Sequence, residues 1–181
     1  MARVPYLTPA DLSPEHARLL DRPITLFRGL ANSPGALANH HQFGEWIRWD
    51  CTLDPRLREL LILQVGYLTK SPYEFSHHIE ISQSFGVTEA DIRQLIRLAK
   101  GEPTTLEATD VLTLNAAREL TEDGGISDST WAALAQHFDN TLLTEFVIVV
   151  SFYNYVVRVL SALQIDVEPE YQKYLDQFPL S

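Results

Sequence analysis

A single cysteine, Cys51, serves the whole 181-residue sequence. One thiol cannot close an internal disulfide or form a C-x-x-C pair, so a secreted disulfide scaffold and a thioredoxin-like redox centre are both excluded. The cytoplasm is the expected compartment. Basic side chains are scarce as well: 14 Lys and Arg stand against 24 Asp and Glu, a formal net charge of −10. They form no cluster, so nucleic acid is not an expected partner. No apolar stretch reaches the roughly 20 residues that a membrane-spanning helix needs. The most apolar one, Phe146 to Val157, is interrupted by Ser151 and Asn154 and reads as a buried helix, with no membrane partner expected. The opening residues, MARVPYLTPADLSPEHARLL, lack the apolar core and small-residue cleavage site of an export signal. Sustained period-two alternation is missing too, which leaves no competing strand pattern.

What remains is a series of helix signals, and the expected fold class is all-α. The length fits one domain of the usual size of about 100 to 200 residues, large enough for a proper core. Prolines at positions 5, 9, 14 and 23 make residues 1–22 a peripheral arm with one short helix from about Ser13. Residues 23–165 form the helical domain. Ser33-Pro34 starts a helix that runs to about Trp49, Thr88 and Asp91 form a capping box, Ser127 caps a short helix, and Asp139 or Asn140 opens the last long one. That last helix is apolar on most sides and must be covered on most sides. Residues 166–181, with their aromatics, pack on the domain or on a neighbouring subunit. Adjacent His40 and His41 point to different faces of their helix and are not a metal pair.

The densest polar chemistry lies between Asp54 and Val87. Asp54 is an N-cap with Pro55 at the first helical position, and Leu57, Leu60, Leu61, Gln64, Val65 and Leu68 trace an amphipathic stripe. After a short turn, Ser71-Pro72-Tyr73-Glu74 has the form of a second capping box, which would engage Glu74 with the Ser71 backbone amide. Gly86 ends that second helix. On it Glu74 and His78 are neighbours four residues apart, as are Tyr73 and His77.

Glu59, Ser71, Glu74 and His78 stand at the spacing E-x11-C-x2-C-x3-H with both cysteines replaced, and Tyr73-Glu74-Phe75 is followed by His77-His78. This pattern resembles the motif of the carboxymuconolactone decarboxylase and alkylhydroperoxidase D-like superfamily, and its decarboxylase-like branch more than its peroxidase branch. The resemblance extends over roughly residues 20 to 165. It implies a compact helical bundle of the alkylhydroperoxidase D-like type, with about seven to nine helices in keeping with the start signals, and a homo-oligomer, a dimer or an assembly of dimers. It also implies that Glu59 and His78 meet. Because oxygen side chains hold both cysteine positions, disulfide chemistry does not carry over.

The expected catalytic residues are Glu59, His78 and Glu74, with Glu59 orienting the imidazole and His78 facing the ligand. Tyr73, His77 and Ser71 are the expected substrate-binding residues. No metal and no cofactor are expected, and the expected partner is a small molecule. A carboxylate beside an imidazole in apolar surroundings is equipment for moving protons. Two functions of different class fit it: cofactor-free proton transfer or decarboxylation on a small carboxylated lactone or related carbon acid, and a non-catalytic helical oligomer that only binds its ligand. Hydroperoxide reduction ranks third.

Overall fold

Eleven consecutive buried residues, Leu57 to Tyr67, make α3 (Pro55–Leu68) the centre of the molecule. The computed structural model describes residues 2–180, and among them nine α-helices and no strand occur. The stripe on α3 suggests one buried face; instead the helix is covered all round, which its apolar content and the small Gly66 permit. Asp54 caps it through the Leu57 amide at 2.9 Å.

Contacts divide the chain into two compact units. One holds residues 52–157 and the tail from Tyr171. In it α3 packs against α4 (Pro72–Gln83), α5 (Glu89–Ala99) and α6 (Ala108–Glu122). Further along, α7 (Asp128–Leu134) packs on α6, and the short α9 (Gln172–Gln177) packs on α4. The Thr88–Asp91 capping box forms at α5, and Ser127 and Asp139 cap their helices through the amides of Thr130 and Leu142. Arg56 ties three helices together, meeting Asp91 at 2.7 Å and Asp110 at 2.9 Å.

The other unit holds residues up to Cys51 together with residues 158–170. It contains α1 (Thr25–Leu30) and α2 (Pro34–Glu45), and α2 ends in a widened π turn, Trp46–Asp50, closed by the Cys51 amide on the Trp46 carbonyl. The proline-rich start is less peripheral than expected. Its prolines break it into two 3-10 turns, Pro9–Asp11 and Ala17–Leu20, rather than one helix, and these turns let Leu20 bury against Ala31 and Leu37. Tyr6 donates to the Asp166 carboxylate at 3.0 Å and fixes the same segment from the other end.

The last long helix, α8 (Asn140–Leu163), has 24 residues and is by length and composition able to cross a bilayer, longer than the apolar run alone suggests. Its polar groups are engaged inside the protein: Glu145 accepts from the Thr52 amide and hydroxyl, each at 2.8 Å, and Asn154 donates to Thr121 at 3.0 Å. Buried polar groups are paired in this way.

The α3–α4 turn positions the site. Thr69 caps α3, Lys70 takes a left-handed φ of 51°, and the amides of Lys70 and Ser71 return to the carbonyls of Tyr67 and Gly66, a Schellman closure. It reverses the chain so that α4 lies directly on Gly66, where an added Cβ would meet the Phe75 amide nitrogen at 3.1 Å and its Cα at 3.2 Å. Backbone cannot move aside as a side-chain tip can. Gly66→Ala is therefore expected to destabilise the protein by about 1 to 3 kcal/mol through overpacking, read as a lower urea midpoint. An unchanged midpoint would show that the two helices separate freely.

Candidate functional site

The reversal brings Glu59 on α3 and His78 on α4 together. The Glu59 Oε2 atom lies 2.8 Å from His78 Nδ1. His78 Nε2 lies 3.1 Å from Glu74 Oε1, one turn earlier on α4. On the far side of Glu59, the Arg58 guanidinium reaches Oε1 from Nε at 3.3 Å and from Nη2 at 3.1 Å. All four side chains are buried. The result is a chain of alternating charge: Arg58, Glu59, His78, Glu74.

Its electrostatics follow from the count of donors. A neutral imidazole has one N–H and could satisfy only one of two flanking carboxylates, whereas the imidazolium donates to both. Burial by itself would depress the His78 pKa, but Glu59 and then Glu74 outweigh it and hold the ring at about 9. Burial would likewise raise Glu59, and the charges of His78 and Arg58 override it and keep this carboxylate low. Two cations and two anions then leave the cluster neutral.

The capping box at Ser71 does not form. The Ser71 side chain makes no capping hydrogen bond, and its amide is already spent on the Gly66 carbonyl at 2.9 Å in the turn closure. Glu74 is thus left to turn to His78, and it is not the backbone-bound residue that the local pattern suggests. The Nε2 atom meets this second carboxylate.

Tyr73 and His77 do form their pair, as stacked rings 4.1 Å apart, and Tyr171 stacks on the other face of His77 at 3.6 Å. The tail is tied down further by Tyr174, which donates to Glu80 at 3.0 Å. Ser71, at the first cysteine position, is buried beside the turn. Tyr153 on α8 packs edge-on against the His78 ring at 5.1 Å. Neither Arg58 nor Tyr153 is visible as a site residue in the sequence, since adjacent helical residues do not face each other and Tyr153 is remote along the chain. Among the described residues no group of three or more His, Cys, Asp or Glu side chains is arranged to hold a metal ion. His40 and His41 pack against Phe27 in the other unit.

Residues 34–113, which include every residue of this cluster, match the model of the carboxymuconolactone decarboxylase family. No curated protein matches the chain in sequence. Among solved structures, an uncharacterized peroxidase-related protein from Ralstonia eutropha, described as an alkylhydroperoxidase AhpD core, superposes with a TM-score of 0.80 at 15% identity over 94% of each chain. The debrominase Bmp8, in complex with 2,3,4-tribromopyrrole, gives 0.78 at 12% identity over 98% of this chain and 99% of its own. A peroxidase-related protein from a Silicibacter species gives 0.66 at 19% identity over 80% and 76%. At these identities the likeness is one of fold. The chain thus carries a match to the carboxymuconolactone decarboxylase family over residues 34–113, in a helical architecture like that of these structures, and its single cysteine leaves it without a redox cysteine pair.

Proposed function

We propose that this protein is a cofactor-free acid–base enzyme acting on a small carbon acid, with decarboxylation of a carboxylated lactone as the leading reaction. The observation that carries the reading is the buried imidazole of His78 between two carboxylates, one at each ring nitrogen. Loss of CO2 leaves an electron pair on carbon, and His78 Nε2–H supplies the proton that ends up on that carbon. The neutral ring is then reprotonated from water by way of Glu74, while Glu59 stabilises the imidazolium throughout. The test is to incubate the protein in D2O with a panel of carboxylated lactones and β-keto acids. CO2 release with one solvent deuterium in the product, absent with His78→Gln, supports the reading. No exchange or CO2 release across the panel speaks against it.

A second reading, a ligand-binding helical oligomer without catalysis, is favoured by the engagement of both His78 nitrogens within the chain. It predicts ligand affinity that survives His78→Gln. Thiol peroxidase chemistry, which the names of two structural relatives bring to mind, has Ser71 and Glu74 where it would need sulfur, and neither exchanges with a disulfide. We expect no turnover of cumene hydroperoxide with a dithiol reductant; sustained turnover that survives Cys51→Ala would overturn this assignment.

The working form is a homo-oligomer in this proposal. Less than half of the most apolar stretch of α8 is buried within the chain. Ile148, Phe152 and Tyr155 stand on one side at helical spacing, with Tyr155 43% exposed. A twofold pairing of such faces would cover them. Light scattering is expected to give at least twice 20.5 kDa, and Tyr155→Glu to lower it; a constant monomer mass at all micromolar concentrations would rule the assembly out.

A further inference from the structure

The two carboxylates that flank His78 are held unequally. Glu59 has both oxygens committed, Oε1 to the Arg58 guanidinium through two nitrogens and Oε2 to His78 Nδ1. Arg58 is itself fixed, 2% exposed with its guanidinium 4.6 Å over the Phe85 ring. A buried arginine is expensive unless its charge is used, and here its side chain folds back along α3 to the residue that follows it. Glu74 contrasts with this. It has no part in capping α4, its distance to the ring is longer at 3.1 Å against 2.8 Å, and it sits on the same helix as His78, so its link to the ring does not bridge α3 and α4.

We propose that Arg58 is a positioning residue that divides the work of the two carboxylates: it locks Glu59 as the permanent support of Nδ1 and leaves Nε2, on the Glu74 side, as the ring position that exchanges its proton with a ligand. The inference rests on the acid–base reading of the site and deepens it. A ligand reaches the ring by displacing the Glu74 carboxylate, so the group it presents to Nε2 is an acceptor of the same kind, a carboxylate or enolate oxygen. A purely structural Arg58 would balance charge without distinguishing the two nitrogens.

Other charged or titratable groups near the ring are His77, stacked between tyrosines on α4, and Tyr153, edge-on from α8.

The experiment needs no substrate. In 15N-histidine-labelled full-length protein, the two N–H protons of His78 are followed by NMR for exchange with water. In the wild type the Nδ1 proton is expected to exchange more slowly than the Nε2 proton. Arg58→Met should speed the Nδ1 proton about tenfold or more, the weight of one charge-assisted hydrogen bond. Arg58→Lys should recover part of that protection, and Glu74→Gln should speed Nε2 alone. Equal exchange at the two nitrogens in the wild type, or Glu74→Gln disturbing both alike, overturns the proposal. So does an Arg58→Met protein with unchanged Nδ1 exchange. If Arg58→Met does not fold, the wild-type comparison and Glu74→Gln decide. Failure of the acid–base reading would show instead as activity that survives His78→Gln, a result these exchange rates do not affect.

Discussion

His78→Gln is expected to lower turnover of any carbon-acid substrate by about 10² to 10⁴, the usual weight of a lost acid–base group, and Glu59→Gln to fall in the same range. Both variants also unbalance a buried cluster. Removing the imidazolium leaves Glu59 and Glu74 facing one cation, Arg58, and breaking a buried pair by removing one partner typically costs about 3 to 5 kcal/mol. Lost activity on its own would therefore be ambiguous between chemistry and stability. The double variant His78→Gln/Glu74→Gln separates them, because it removes one positive and one negative charge and restores neutrality around Arg58 and Glu59. Its urea midpoint should recover most of what His78→Gln loses, through non-additive coupling of neighbours, while its turnover stays at the His78→Gln level. A double variant that regained activity along with stability would sink the assignment of His78 as the proton donor. Glu74→Gln on its own should reduce turnover as well as stability, since the carboxylate meets the ring and is not occupied by capping.

How far the sequence reveals this arrangement depends on the range of the interaction. Caps at Asp54, Thr88, Ser127 and Asp139 are local patterns of three or four residues, and they form as the sequence suggests. The pairing of Glu59 with His78 spans two helices, and only the motif spacing points to it. Ser71-Pro72-Tyr73-Glu74 misleads because its signal is local while the outcome is set elsewhere: Lys70 in a left-handed conformation closes α3 and consumes the Ser71 amide, leaving the glutamate no donor to cap. Nor does any local rule predict that Arg58 folds back on its neighbour, or that Tyr153 approaches from α8. The second unit is legible mainly as punctuation, because prolines mark where helices cannot continue but do not say which leucine turns inward.

The pH dependence of stability carries a definite sign. In the folded protein His78 titrates at about 9, against about 6.5 for an exposed histidine in the unfolded chain. The folded state thus holds a proton that the unfolded state has released. The contribution is complete below about pH 6.5, declines as pH rises, and is gone above about pH 9. Integrated over that window it is on the order of 3 kcal/mol. Glu59 works in the other direction. Its carboxyl is held low by His78 and Arg58, so its contribution is present above the ordinary carboxylate range and fades only in acid. Between these limits lies a plateau, and the alkaline edge belongs to one residue. Urea unfolding is expected to give a free energy that falls between pH 6.5 and 9, with His78→Gln lacking that fall. His41 does not interfere with the comparison: burial, outweighing Glu45, lowers its pKa, so its contribution has the opposite sign and is common to both proteins. A wild type that stays flat across this range, or a His78→Gln variant that keeps the same alkaline loss, would mean that the ring is not the buried imidazolium on which the proton-transfer reading depends.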